Sequence, residues 1–73
     1  MKEIKINTDY IRLDSFLKFC GAVGTGGHAK IVIGEGEVSV GGEVCTMRGK
    51  KLRSGDTVAF GGETYTVIKD DSK

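Results

Sequence analysis

Residues 13–36 read LDSFLKFCGAVGTGGHAKIVIGEG, and their apolar residues recur at the spacing of two successive helices. In the first of these, the apolar positions are Leu13, Phe16, Leu17 and Cys20. Gly21 follows directly, and glycine is the residue most often found just past a helix end. The spacing therefore predicts a first helix from Leu13 to Cys20.

A second helix is predicted from about Gly26 to Glu35, with apolar positions at Ala29, Val32 and Ile33. Thr25 precedes it, and a threonine hydroxyl is a good acceptor for the unpaired amides of a helix start. Gly36 is predicted to end it. Because so few residues join the two helices, we expect them to pack against each other as a pair.

The remaining apolar residues alternate, which is the spacing of strands. Two hairpins are indicated: Val38, Val40 and Val44 around Gly41-Gly42, and Val58, Phe60, Tyr65 and Val67 around Gly61-Gly62. Ile4 and Ile6 predict a further strand over residues 2–6. The predicted fold class is α+β, with two short packed helices followed by a small, bent antiparallel sheet of hairpins.

The chain has 73 residues, which is enough for one small domain over residues 1–73. No segment approaches the ~20 apolar residues that span a bilayer. Met1-Lys2-Glu3-Ile4-Lys5 lacks the apolar core of a signal peptide, so we expect a cytoplasmic protein without a membrane partner. The end of the chain, residues 70–73, is expected to be a frayed tail.

The net charge of +1 conceals an uneven distribution along the chain. Residues 12–53 carry seven basic and four acidic side chains, whereas residues 54–73 carry two basic and four acidic ones. Residues 46–53, which we call the basic segment, hold four basic groups and no acidic group. The basic segment is interpreted as a loop, either simply solvated or aimed at an anionic partner.

Catalytic and metal sites are not indicated. Cys20 and Cys45 are not spaced as metal ligands and are expected to be buried thiols, and His28 is the single histidine. The carboxylates form no recognisable acid–base pair. Gly24-Thr25-Gly26-Gly27-His28-Ala29 formally fits a dinucleotide motif, but a helix precedes it instead of the required strand. We therefore expect a protein without a cofactor or metal that is not an enzyme.

The start of the second helix is a candidate anion site. Gly26 and Gly27 have no side chains to cover its first amides, which carry the positive end of the helix dipole. The alternative is that these glycines only allow close packing at the turn between the helices.

Several ordered motifs resemble the S-four RNA-binding domain, the αL motif of the fourth small-subunit ribosomal protein. These are Arg12-Leu13-Asp14-Ser15-Phe16-Leu17, Ala29-Lys30, Ile33, Gly36, Val38, Val40, Gly42 and Gly55-Asp56. The resemblance covers residues 12–58. Thr25-Gly26-Gly27-His28-Ala29-Lys30 and Arg48-Gly49-Lys50-Lys51-Leu52 are similar to a small stand-alone bacterial branch of that family, although many members carry Ser-Arg in place of Thr25-Gly26.

The resemblance implies a module that docks on structured RNA, either ribosomal or transfer RNA, through backbone phosphates, in association with the ribosome or translation. The implied RNA-binding residues are Arg12, Lys18, Thr25, Gly26, Gly27, His28, Lys30, Arg48, Lys50, Lys51 and Arg53. We expect a monomer. The alternative is a protein–protein interaction adaptor that uses the same basic surface. Phe16, Phe19 and Phe60 are expected to lie at least partly in the core, which leaves no aromatic platform for stacking bases.

Overall fold

Two helices and seven short strands follow one another along residues 2–70, the part of the chain that this computed structural model describes. In chain order they are β1 (Lys2–Ile6), β2 (Ile11–Arg12), α1 (Leu13–Phe19), α2 (Gly26–Gly34), β3 (Ser39–Val40), β4 (Glu43–Val44), β5 (Lys51–Leu52), β6 (Thr57–Phe60) and β7 (Glu63–Lys69). Both predicted helices are confirmed, and each ends one residue earlier than the spacing indicated. Gly21 and Gly36 lie just beyond their ends, as predicted.

Both predicted hairpins are present in a five-stranded sheet with the order β1-β7-β6-β3-β4. β3 pairs antiparallel with β4 across Gly41-Gly42, and β6 pairs antiparallel with β7 across Gly61-Gly62. All four glycines have positive φ angles, between 61° and 88°. Two consecutive residues with positive φ form the tight turn that matches the twist of paired strands, which explains the Gly-Gly pairs.

The sheet is mixed, because β1 pairs parallel with β7 at one edge, with Ile4 opposite Val67. The α+β class is confirmed, but the expectation of a purely antiparallel sheet is wrong for this strand. The first and last strands of the described chain thus lie side by side. The amide of Asp70 donates to the carbonyl of Ile6 at 2.7 Å, so Asp70 is held rather than frayed. The rest of the predicted tail, residues 71–73, lies outside the described residues.

The basic segment is not simply a loop, because it contains β5. β5 pairs antiparallel with β2 in a separate two-stranded sheet, with Ile11 opposite Leu52 and Arg12 opposite Lys51. Leu52 is completely buried and belongs to the core. The middle of the chain is therefore attached to the residues that immediately precede α1.

One apolar cluster joins the helices to the strands. It consists of Ile6, Leu13, Phe16, Leu17, Val23, Ala29, Val32, Ile33, Val38, Leu52, Val58, Tyr65 and Val67. The rings of Phe16 and Tyr65 meet edge to face, with centroids 6.2 Å apart, a favoured aromatic geometry. Phe60 is half-buried, but Phe19 is 61% exposed, so the expectation that Phe19 lies in the core is wrong. Phe19 is the last residue of α1, two positions after the buried Leu17, and it lies at the edge of the helix's apolar face.

The two cysteines are both half-buried thiols, not fully buried ones. The Cys20 thiol donates to the carbonyl of Leu17 at 3.6 Å. Burial raises the pKa of the Cys20 thiol, which reduces the thiolate fraction and hence its reactivity.

Replacing Leu52 with alanine is expected to lower the free energy of unfolding by about 2–5 kcal/mol, because the substitution removes a fully buried side chain from the core. Urea denaturation followed by circular dichroism measures the change. Met47→Ala is the control, since Met47 lies in the same segment but is 67% exposed. Equal unfolding midpoints for the two variants would contradict the placement of Leu52.

Candidate nucleic-acid interface

The first amides of α1 are bonded to the backbone of the basic segment. The Leu13 amide donates to the carbonyl of Lys50 at 2.8 Å, and the Asp14 amide donates to the carbonyl of Arg48 at 3.1 Å. Arg12, at the N-cap position, makes no side-chain capping bond. Because the first amides of a helix have no partner within the helix, the basic segment takes the place of a capping side chain.

These backbone bonds assemble five basic residues near the start of α1. We call Arg12, Arg48, Lys50, Lys51 and Arg53 the basic cluster. All five are exposed. Arg12 and Lys51 lie directly opposite each other in the β2–β5 ladder, while the buried Leu52 anchors the middle of the cluster to the core. The geometry therefore gathers predicted RNA-binding residues that lie far apart in the sequence.

Arg53 is placed by a tight turn that ends at Asp56. The Arg53 amide donates to Oδ2 of Asp56 at 2.7 Å, and the Asp56 amide donates back to the Arg53 carbonyl at 2.9 Å. Gly55 within this turn has a φ of 97°, a backbone conformation that residues other than glycine rarely adopt. The Gly55-Asp56 motif thus has a structural role, which is to turn the chain between β5 and β6.

The charge of Arg12 is partly offset by a neighbouring carboxylate. Its Nη2 lies 3.2 Å from Oδ2 of Asp14, and the two side chains are 54% and 22% exposed. The other Asp14 oxygen accepts the Ser15 amide at 2.8 Å, which fixes the carboxylate in place. An exposed pair of this kind adds little stability, so the guanidinium can exchange this partner for another anion.

Lys51 has an aromatic neighbour that sequence reasoning missed. Its ammonium lies 4.9 Å from the centroid of the Tyr10 ring, within the range of a cation–π interaction. This contact favours one position of an otherwise flexible lysine side chain. Tyr10 lies in a polar segment with no local pattern, and only the pairing of β2 with β5 brings it to Lys51.

The start of α2 is the second group of predicted residues. Oγ1 of Thr25 accepts the His28 amide at 3.1 Å, so the predicted N-cap is confirmed. A Cβ atom added at Gly26 would meet nothing within 4 Å, and one at Gly27 would meet only Oγ1 of Thr25, at 3.9 Å. Close packing therefore does not explain the glycines, and that alternative is wrong. His28 and Lys30 are exposed beside them.

The two groups are associated with opposite ends of α1. The basic cluster is bonded to its first residues, whereas the linker to α2 folds back on its last turn through bonds from the Ala22 and Val23 amides to the Leu17 carbonyl. A helix of seven residues is only about 10 Å long. Lys18, the remaining predicted residue, is exposed in the last turn of α1.

Acidic and metal-ligating side chains form no comparable site in the described chain. Between residues 2 and 70, no group of three or more histidine, cysteine, aspartate or glutamate side chains is arranged to hold a metal ion. A hydrogen bond with Glu35 raises the pKa of Glu37, and a 2.7 Å bond from Lys69 lowers the pKa of Asp9.

None of the helices within residues 2–70 has the length and apolar character needed to cross a bilayer.

A family model described as the S4 domain, the S-four domain of the resemblance above, matches residues 4–68. The chain belongs to the S4-domain family. The match extends beyond the motif at residues 12–58 and includes most of β1 and β7, so the first and last strands of the described chain are part of the family's domain.

Two bacterial relatives have the same small size. The chain is 42% identical over 59 residues to a probable ribosome maturation protein, RlbA, of Bacillus subtilis, covering 81% of this chain and 83% of the relative. It is 39% identical over 59 residues to the putative RNA-binding protein YbcJ of Escherichia coli, covering 81% and 84%. The alignments therefore span most of both relatives.

A solved structure confirms the fold. The solution structure of Escherichia coli YbcJ, described as revealing an αL motif involved in RNA binding, matches with a TM-score of 0.71 and 35% sequence identity. The match covers 93% of this chain and 87% of that one. This chain and YbcJ of Escherichia coli thus share the predicted αL fold.

Replacing Thr25 with alanine is expected to lower the free energy of unfolding by about 1 kcal/mol, because the His28 amide loses its acceptor. Thr25→Ser keeps the hydroxyl and is expected to stay within a few tenths of a kcal/mol of the parent chain. Urea denaturation compares the two variants. Equal loss in both would show that the hydroxyl bond does not stabilise α2.

Proposed function

We propose that this chain is a non-catalytic module that docks on structured RNA, with ribosomal RNA as its preferred partner and transfer RNA as the alternative. The observation that carries the proposal is the basic cluster, fixed to the start of α1 by two backbone hydrogen bonds and by the buried Leu52. Membership of the S4-domain family and the name of the Bacillus subtilis relative support a partner in the ribosome.

The basic cluster suits the phosphate backbone of a folded RNA. The basic segment carries four exposed cations and no carboxylate of its own. Two of these are arginines, whose planar guanidinium groups can hold a phosphate through two parallel hydrogen bonds. Binding would release counterions from the RNA, so affinity would depend strongly on salt.

The start of α2 supplies a further phosphate contact in this proposal. A Cβ atom at Gly26 would meet nothing within 4 Å, and one at Gly27 would meet only Oγ1 of Thr25 at 3.9 Å, so a phosphate oxygen can approach the first amides of the helix. Thr25 holds the helix start in shape, while His28 and Lys30 add polar and basic groups beside it. Lys18, in the last turn of α1, extends the positive surface.

RNA shape, rather than base sequence, is the main determinant of docking by these two groups. A-form RNA has a deep, narrow major groove that side chains cannot read, so contacts with phosphates and 2′-hydroxyls dominate. We propose that residues 1–73 form one domain that acts as a monomer in the cytoplasm, without a cofactor. The basic cluster needs no second copy of the chain to be complete.

Arg48→Ala and Lys51→Ala are each expected to flatten the slope of log affinity against log salt by about one unit, because each removes one phosphate contact. Fluorescence anisotropy with a structured ribosomal RNA hairpin at several salt concentrations measures the slope. Lys5→Ala is the matched control. Lys5 is an exposed lysine on β1, which pairs with β7 and is not part of the β2–β5 ladder that holds Arg12 and Lys51.

An unchanged slope in the Arg48 and Lys51 variants, or an equal change in the Lys5 variant, would contradict a specific role for the basic cluster. If the chain binds no RNA at low salt and captures a protein through the same surface, it is an interaction adaptor and the proposed RNA binding is wrong.

Gly27→Asp is expected to weaken RNA binding without unfolding the domain. A carboxylate there would repel a phosphate, yet an acidic side chain in the first turn of a helix is favourable for the helix itself. Gly27→Asn is the matched control, because it has the same shape without the charge. Equal affinity of the two variants for the hairpin would exclude a phosphate contact at the start of α2.

A further inference from the structure

Phe19 is an exposed aromatic side chain that neither the core nor the proposed phosphate contacts use. Phe16, one turn earlier in α1, is completely buried, whereas Phe19 is 61% exposed at the last residue of the helix. A large apolar side chain exposed to this degree leaves apolar surface in contact with water. A partner that covers the ring would remove that cost.

A shallow groove adjoins the Phe19 ring. Ile11, Ser15, Lys18 and Phe19 line it, and its volume is about 360 Å³. Its lining combines apolar surface, one hydroxyl and one ammonium group, with no carboxylate among these residues. The groove therefore offers a face for a flat apolar group and a cation for an anionic group attached to it.

The groove is continuous with the basic cluster along the chain. Ile11 pairs with Leu52 in the β2–β5 ladder, and Arg12, the next residue, pairs with Lys51. Tyr10, on the other side of Ile11, carries the Lys51 ammonium over its ring. An RNA strand bound at the basic cluster would thus pass close to the groove.

We propose that the groove holds an unpaired nucleobase of the bound RNA, which stacks on Phe19 while Lys18 contacts the adjoining phosphate. This inference rests on the proposed RNA binding and adds to it a preferred class of partner: a folded RNA with an unstacked base next to a helical stem. Charge favours this occupant, because a nucleotide combines a flat ring with an anion and the groove combines an aromatic ring with a cation. Ser15 supplies a hydroxyl for an edge of the base or a 2′-hydroxyl.

Stacking of an unpaired base on an aromatic side chain typically changes RNA affinity by about tenfold, and a base paired within a helix is not available for it. Two RNA probes separate these situations: a hairpin with an unpaired uridine loop, and a continuous duplex of the same stem. A third probe has the same hairpin with abasic loop nucleotides, which keep the phosphates and lack the bases.

Phe19→Ala is expected to bind the uridine-loop hairpin about tenfold more weakly than the parent chain, and to bind the duplex and the abasic hairpin as the parent does. Phe19→Trp is expected to restore hairpin binding. Because the chain has no tryptophan of its own, this variant carries a single indole whose fluorescence should be quenched by the hairpin and not by the abasic probe. Ile31→Ala is the control, since Ile31 is 57% exposed on α2.

Equal affinities of the parent and Phe19→Ala for the uridine-loop hairpin would overturn the stacking proposal while leaving phosphate binding intact. A second result would also overturn the proposal: Phe19→Ala binds all three probes as the parent does, but it sediments as a monomer where the parent sediments as a dimer. The groove would then be assigned to a second copy of the chain. If the parent chain binds no probe at low salt, RNA docking itself fails, and the stacking proposal fails with it.

Discussion

The arrangement of the molecule depends on two hydrogen bonds, from the Leu13 and Asp14 amides to the carbonyls of Lys50 and Arg48, which connect α1 to the basic segment. A helix start needs partners for its amides, and α1 finds them in the backbone of the basic segment. The same contact holds cationic side chains at a fixed place while they stay exposed. Burial of Leu52 adds a hydrophobic anchor, so folding of the core also forms the basic cluster.

This arrangement allows a chain with a net charge of +1 to present a cationic surface. The fold places Arg12 next to the basic residues of the basic segment, which lie about 40 residues later in the chain. Acidic residues elsewhere in the chain offset the total charge. Asp14 reduces the local charge at Arg12, while Tyr10 orients Lys51. The surface is therefore shaped by neutral and acidic neighbours as well as by its basic residues.

Local patterns predicted the helices and the two Gly-Gly hairpins, because helical spacing, capping by Thr25 and tight turns are determined by nearby residues. Pairings between distant segments were not predicted: β1 lies parallel to β7, and β5 joins β2. Two-residue strands such as β5 carry no periodic signal, so the sequence of the basic segment indicates only a loop. Helical spacing also cannot show which residues at the edge of an apolar face stay exposed, as Phe19 does.

Charge and family resemblance identified residues of the candidate site, but only the fold groups them into the basic cluster and the start of α2. A nuclear magnetic resonance titration of the labelled chain with a structured ribosomal RNA hairpin would test that grouping directly. That grouping predicts that the largest amide shift changes fall on Arg12, residues 48–53 and residues 26–28, with little change in β1. Largest changes in β1 and β7, with none in the basic segment, would contradict it.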